Sequence, residues 1–336
     1  MSTTDWYLHT SLYLKLNKQK TRYPRRKPIC LFCDLDDTYI MKYWPSEQLL
    51  EQYPQKYTDT ILSPDLRVYD ETIQLKSYLD QNSIPLLLVS GRDLHQMKEL
   101  EKSFLQHMPD HPEIMEYDGL IGGVGTELFL KKDSGRLEND KSYMRVLAQT
   151  GYDRSSLYKL IQKHIPIVIS RFAPVAFNFS KRDQEQSEDE LPIQQFKVSV
   201  EFKSDDKTAK NIYDYIRSLL DNSGMRSVRT LLSCPYHIDT KISKYNFDIV
   251  PFSKEKPIQY LKSIFDMHAV VAGDSGNDFE MLVYAADTGI IVGNAKKELL
   301  NAYQGLSNQE KKHVILDMKN QGPDAILHYV KTIVNI

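Results

Sequence analysis

A chain of 336 residues has room for about two domains at the usual 100 to 200 residues apiece. Its 43 Lys and Arg against 45 Asp and Glu leave a formal net charge of −2, which removes the electrostatic signature of a general nucleic-acid or membrane-surface binder. Apolar residues make up 41% and charged residues 26%, and no stretch nears the roughly 18 apolar residues of a membrane span, so a soluble globular protein is expected.

The first 27 residues carry seven Lys and Arg and one acid, Asp5, with none of the continuous apolar run of a secretory leader; they read as a surface extension. Cys30, Cys33 and Cys234 cannot all pair, which fits a reducing, cytoplasmic setting. Cys30 and Cys33 lie in the apolar run Ile29-Cys30-Leu31-Phe32-Cys33, where strand alternation sends residues three apart to opposite faces and argues against a shared zinc or redox site. That run stops abruptly at Asp34-Leu35-Asp36-Asp37-Thr38. A helix is expected over Val68 to Leu79, then a buried strand over Pro85 to Val89 that stops at Ser90-Gly91-Arg92-Asp93. Leu94, Met97, Leu100 and Phe104 then recur at helical spacing, completing a strand-loop-helix unit and favouring a parallel sheet.

The character changes from about Glu127 to Tyr245. Phe196, Val198, Val200 and Phe202 alternate with Lys197, Ser199 and Glu201, as on a sheet with one wet face. Amphipathic helices are expected around Leu157 to Ile161 and around Ala209 to Leu220, and a solvated loop over Lys181 to Glu190. The turn at Gly122-Gly123 and Gly125 reads as a hinge at the entrance to this insert. The first style then returns: His268 to Gly273 is a strand leading into Asp274-Ser275-Gly276-Asn277-Asp278 and a helix, and Gly289 to Val292 is one more strand. The expected fold is α/β, a Rossmann-like parallel-sheet core over 28–126 and 246–336, preceded by the extension 1–27 and interrupted by an α+β cap over 127–245.

In open parallel sheets the ligand crevice lies beyond the carboxyl ends of the strands. Asp34, Asp36, Ser90, Asp274 and Asp278 all sit at such ends. Carboxylates gathered in one crevice repel one another unless a cation that favours oxygen ligands neutralises them. Magnesium is the natural choice, and because it also accepts phosphate oxygens it points to a small phosphorylated ligand.

The ordered set Asp34-x-Asp36-x-Thr38, Ser90-Gly91-Arg92, a lysine near Lys254 and Gly273-Asp274-x-x-Asn277-Asp278 resembles the four motifs of the haloacid dehalogenase superfamily. Insertion of a large segment between the serine and lysine motifs, with Gly125-Thr126-Glu127 at its start, resembles the sucrose-phosphatase-like branch, which also includes mannosylglycerate and kanosamine phosphate phosphatases. The resemblance implies that Asp34 is the nucleophile and a metal ligand. Asp36 would be the acid/base, its backbone carbonyl on the metal, and Asp274 the last protein ligand to Mg²⁺. Asp278 would hold metal-bound water or orient the lysine, with Asn277 supporting that loop. Ser90, the amides around Gly91 and the lysine would bind the phosphoryl oxygens; Lys254 fits the family register best and Lys256 is the alternative.

The aspartate two residues after the nucleophile separates phosphate-ester chemistry from the superfamily's dehalogenases and transport ATPases, with a sugar phosphate as the expected substrate class. The residues leave open a phosphatase, a phosphomutase using the same two carboxylates, and a retired enzyme that binds a sugar phosphate or a partner protein. Each residue also has a plainer use: Asp34 and Asp36 ending a strand, Asp274 capping a helix, Ser90 making a turn. Thr38 reads as a structural hydroxyl and Arg92 as a surface or helix-start residue.

Overall fold

The computed structural model describes residues 3–40, 69–107, 109–180, 183, 195–225, 228–237 and 242–335. Val68 and, apart from Asp183, the loop expected over Lys181 to Glu190 lie outside the described residues. The chain divides into two compact units, residues 1–140 with 254–336 and residues 141–253.

In the first unit, α1 (Thr3–Leu8) and α2 (Ser11–Arg22) precede β1 (Ile29–Asp34), α3 (Tyr69–Gln81), β2 (Leu86–Val89), α4 (Leu94–His107), β3 (Gly119–Gly122), β4 (Glu127–Lys131) and β5 (Leu137–Asn139). The second unit contributes α5 (Lys141–Ala148), α6 (Arg154–Phe172), β6 (Val175–Phe179), β7 (Val198–Ser204), α7 (Asp206–Asn222), β8 (Arg229–His237) and β9 (Ser243–Val250). The first unit resumes with α8 (Glu255–Ile264), β10 (His268–Gly273), β11 (Thr288–Ile291), α9 (Lys297–Gln304), β12 (Val314–Leu316) and α10 (Gly322–Asn335).

The first unit is built on one eight-stranded sheet in the order β12-β11-β10-β1-β2-β3-β4-β5, parallel from β12 to β3 and antiparallel at β4 and β5. Strands buried on both faces read as unbroken apolar runs, which is why β1, β2 and β10 were visible without alternation. Cys33 joins the main core cluster with Leu31, Leu86, Leu88 and Val270, while Cys30, three residues earlier and equally buried, packs outside it. The fold class is α/β, as the motifs implied.

Two boundaries differ from expectation. β4 and β5 pair onto β3, so residues 127–140 belong to the core sheet and not to the insert. At the other end β9 runs to Val250 in register with β7 and β8, which carries 246–253 into the second unit. Composition could not see either edge, because antiparallel strands added to a parallel sheet alternate just as a cap strand does. The turn at Gly122 to Gly125 is consequently not a hinge: Gly122 pairs with Glu127 across a tight β3-β4 hairpin in which Gly123, Val124 and Gly125 all have positive φ.

The amino-terminal 27 residues are also more than a surface extension. Leu12 and Leu16 of α2 are buried, and the Gln19 amide bonds the backbone N–H and C=O of Ile29 at 2.8 Å each and the C=O of Ser83 at 2.9 Å. Tyr7 donates to Asp140 at 2.7 Å and shares a 2.7 Å hydrogen bond with Tyr260 of α8.

The second unit is a four-stranded antiparallel sheet, β6-β7-β9-β8, with Leu157 and Ile161 of α6 and Ala209, Ile212 and Ile216 of α7 in its core. The face expected to be wet is partly closed: Lys197 pairs with Asp248 at 3.2 Å and the Ser199 hydroxyl donates to the same carboxylate, with all three residues buried. Among the described residues no helix is long and apolar enough to cross a membrane.

Candidate active site

The strand order places β10, β1 and β2 side by side. The register pairs Asp34 with Val89, so Ser90 follows immediately beside the nucleophile candidate, and Asp274 emerges from β10 on its other side. Three sequence-distant polar segments meet because parallel neighbours present their carboxyl ends to the same edge.

Lys254, at the start of α8, is 1% exposed and donates to Asp34 Oδ1 at 2.6 Å, Asp278 Oδ1 at 2.6 Å and Asn277 Oδ1 at 3.1 Å. The three protons of its ammonium are therefore taken. Lys254 rather than Lys256 is the lysine that reaches these carboxylates. Burial alone would depress its pKa, but Asp278 and Asp34 outweigh that and hold it above the usual lysine range.

Asp278 is fully buried, and its second oxygen accepts from the Asp274 N–H at 3.2 Å, the Ser275 N–H at 3.0 Å and the Ser275 hydroxyl at 3.0 Å. This capping arrangement locks the turn after β10. It also explains Gly273, where a Cβ would lie 2.6 Å from Asp278 Cβ and displace the carboxylate. Asp278 thus behaves as an orienter of Lys254 and of the turn. The helix expected after Asp278 is a 3₁₀ turn over Gly276–Asp278 and a π-helical turn over Met281–Ala285.

Asp34, Asp274 and Asp278 each offer an oxygen within 4.8 Å of the others. Thr38 donates to Asp274 Oδ1 at 3.3 Å, while Asp274 Oδ2 is buried without a hydrogen bond. Burial and the Asp278 charge, opposed more weakly by Lys296, push the Asp274 carboxyl up to about 7. Burial and Asp278, opposed by Lys254, likewise raise Asp34 well above the carboxylate range. One fully engaged ammonium does not neutralise three buried carboxylates, and the surplus appears as these upward shifts. A buried carboxylate oxygen without a hydrogen bond, among the oxygens of Asp34, Asp274 and Asp278, is a hard donor set that could hold a divalent cation such as magnesium.

Arg92, read above as a surface or helix-start residue, has a site contact: its Nη2 lies 3.4 Å from Asp36 Oδ1, and its Nε is buried without a hydrogen bond. Ser90 is buried and its Oγ accepts from the Arg92 N–H at 3.1 Å, a local turn contact, with Gly91 between them. Asp37, which holds φ +61°, Asn294 and Lys296 were also missed. Asn294 Nδ2 donates to Asp37 O at 2.6 Å, and Lys296 reaches both Asp37 and Asp274. The signal was present, since Gly293-Asn294-Ala295-Lys296 follows strand β11 at the same sheet edge and the strand-end rule applies to it equally.

The profile of the family sucrose-6F-phosphate phosphohydrolase matches residues 28–331. The chain belongs to this family. The sucrose-6F-phosphate phosphohydrolase match begins one residue before β1 and ends within α10, so it takes in both units and leaves out α1 and α2. Among solved structures, BT1666 from Bacteroides thetaiotaomicron, described among phosphatases of the haloalkanoate (HAD) superfamily, is 14% identical. The match covers 94% of this chain and 98% of that one with a TM-score of 0.50. The haloacid dehalogenase-like hydrolase yhjK from Bacillus subtilis is 15% identical over 95% of this chain and 98% of its own, with a TM-score of 0.49. The fold of the chain is thus similar to that of BT1666. No curated protein matches the chain.

Proposed function

We propose that this member of the sucrose-6F-phosphate phosphohydrolase family is a magnesium-dependent phosphatase that hydrolyses a sugar phosphate through a phosphoryl group carried transiently on Asp34. The observation that carries the reading is the buried cluster itself: Lys254 fixed at 2.6 Å from both Asp34 and Asp278, with an Asp274 oxygen that accepts no hydrogen bond. A merely structural cluster gains nothing from a carboxylate surplus. The family description supports a sugar phosphate as substrate, and its phosphatase chemistry favours water over a second sugar as acceptor.

Asp34, oriented by Lys254, attacks phosphorus as the P–O bond to the sugar breaks, and Asp36, steadied by Arg92, gives its proton to the departing alkoxide. A water then attacks the phosphorus of the aspartyl phosphate, passing a proton to Asp36 and returning Asp34 as a carboxylate with release of inorganic phosphate. Lys254 and the amides after Ser90 offset negative charge on the phosphoryl oxygens. Asp34, Asp274 and the Asp36 carbonyl would hold the magnesium, which when bound would supply positive charge that keeps the carboxylates ionised and polarises the phosphoryl group. The second unit serves as the substrate-selecting cap.

The test is phosphate release from a panel of hexose, disaccharide and kanosamine phosphates, with and without magnesium. Wild type should release phosphate only with magnesium, and Asp34→Asn should lose at least roughly 10³-fold in rate. Phosphoryl transfer between sugars without net release would favour a mutase, and no turnover of any ester by folded, magnesium-loaded protein would favour a binding role.

A further inference from the structure

Two lysines border the carboxylate cluster, and they are held differently. Lys254 is buried and hydrogen-bonded on every side. Lys296 comes from the loop after β11, whose backbone is pinned where Lys296 N–H donates to Asp274 O at 2.7 Å and Gly293 N–H to Asn320 O at 2.9 Å. Asn294 fastens the same loop to the Asp37 carbonyl at 2.6 Å and accepts from the Gly322 N–H at 2.9 Å. From this rigid base the Lys296 side chain, 36% exposed, places Nζ 3.6 Å from Asp274 Oδ2 and 4.0 Å from Asp37 Oδ2. Both are ion-pair distances too long for a hydrogen bond. Lys296 therefore contributes charge without a directional bond, and it does so at the one oxygen of Asp274 that no donor satisfies.

The local charges suit this role. Among the described residues Lys254 faces the carboxylate cluster through Asp34 and Asp278, and Lys296 faces it through Asp274. Two positive charges directed at the same carboxylate repel each other, and the more exposed ammonium is the one that can yield.

We propose that Lys296 is a positioning residue that acts through Asp274 as a competing counter-charge: it holds down the affinity of the site for a divalent cation, so that the cation exchanges instead of being locked in. This rests on the reading of Asp34 and Asp274 as metal ligands. The sign of the effect separates the role from a structural one, because a lysine that merely held the loop would weaken cation binding when removed, whereas a competitor strengthens it.

The experiment is calorimetric titration of the full chain with MgCl₂ and with MnCl₂ at pH 8, comparing wild type, Lys296→Gln and Lys296→Arg, with circular dichroism to check that each is folded. Lys296→Gln should bind either cation on the order of tenfold more tightly at low salt, the gap narrowing as added KCl screens the half-exposed charge, and Lys296→Arg should match wild type. Equal or weaker binding by folded Lys296→Gln, with wild type binding normally, overturns the inference alone. Wild type that takes up neither cation overturns the metal reading and this inference together. If Lys296→Gln does not fold, Lys296→Met is the second neutral variant, and equal or weaker cation binding by folded Lys296→Met overturns the proposal.

Discussion

The two ends of β1 are both tied down by polar side chains, but by opposite physics. At the amino end Gln19 meets the backbone of Ile29 and Ser83 with neutral hydrogen bonds that leave nothing unsatisfied. At the carboxyl end Asp34 sits in a knot of buried charges whose sum does not cancel, with Asp274 Oδ2 left over. Neutral closure is what a structural staple needs. An uncancelled cluster costs stability and persists where something else is to be bound, so the strand reads as anchored at one end and reactive at the other.

Cutting the ionic end should have the larger effect. Lys254→Ala removes the one cation among the described residues that is hydrogen-bonded to both Asp34 and Asp278, leaving both carboxylates buried without it. Breaking a buried pair from one side costs about 3 to 5 kcal/mol, so the urea midpoint should fall steeply. Millimolar magnesium should restore part of the loss, since it supplies charge the variant lacks. A loss below about 1 kcal/mol would mean that the two ends of β1 do not differ as argued.

Most of this end was legible from the sequence, and the reason is physical. A strand buried on both faces must be apolar throughout, so Ile29 to Cys33, Leu86 to Val89 and Ala269 to Gly273 announce themselves, and the polar residue that ends each run marks the sheet edge. Asp34, Ser90 and Asp274 were found that way. Asp37, Arg92, Asn294 and Lys296 stand at the same strand ends, but the contacts that give each a role join loops far apart in sequence and are written in no single segment. The staple was illegible for a related reason. Gln19 lies in a basic, polar helix whose buried stripe of Leu12, Leu16 and Gln19 contains a side chain that looks solvated until its backbone partners are seen.

Gln19→Leu is the matching cut at the neutral end. It fills similar space but strands one N–H and one C=O of Ile29 and the C=O of Ser83, at a cost of roughly 1 to 3 kcal/mol. The carboxyl end is untouched, so kcat and KM on whichever phosphate ester serves as substrate should stay within twofold while the thermal midpoint drops. A kinetic change as large as the stability change would show that the staple and the site are coupled along β1.

The smallest effect is on pH dependence, and its sign is distinctive. The folded-state pKa of Asp274 is raised to about 7 from an ordinary 3.8, so between those values the folded protein holds a proton that the unfolded chain releases. Its contribution to stability is complete below about 4 and is lost as pH rises through 7, the reverse of a salt-bridged surface aspartate. Asp274→Asn should therefore flatten the decline of the thermal midpoint between pH 5 and 8 in chelator, and magnesium should flatten it in wild type by favouring the ionised form. Asp205, exposed and held low by its capping bonds to Thr208, supplies the internal contrast, since its stabilisation is lost only on acidification. If Asp274→Asn and wild type gave parallel curves in chelator, the carboxylate surplus would not be the source of strain at this end of β1.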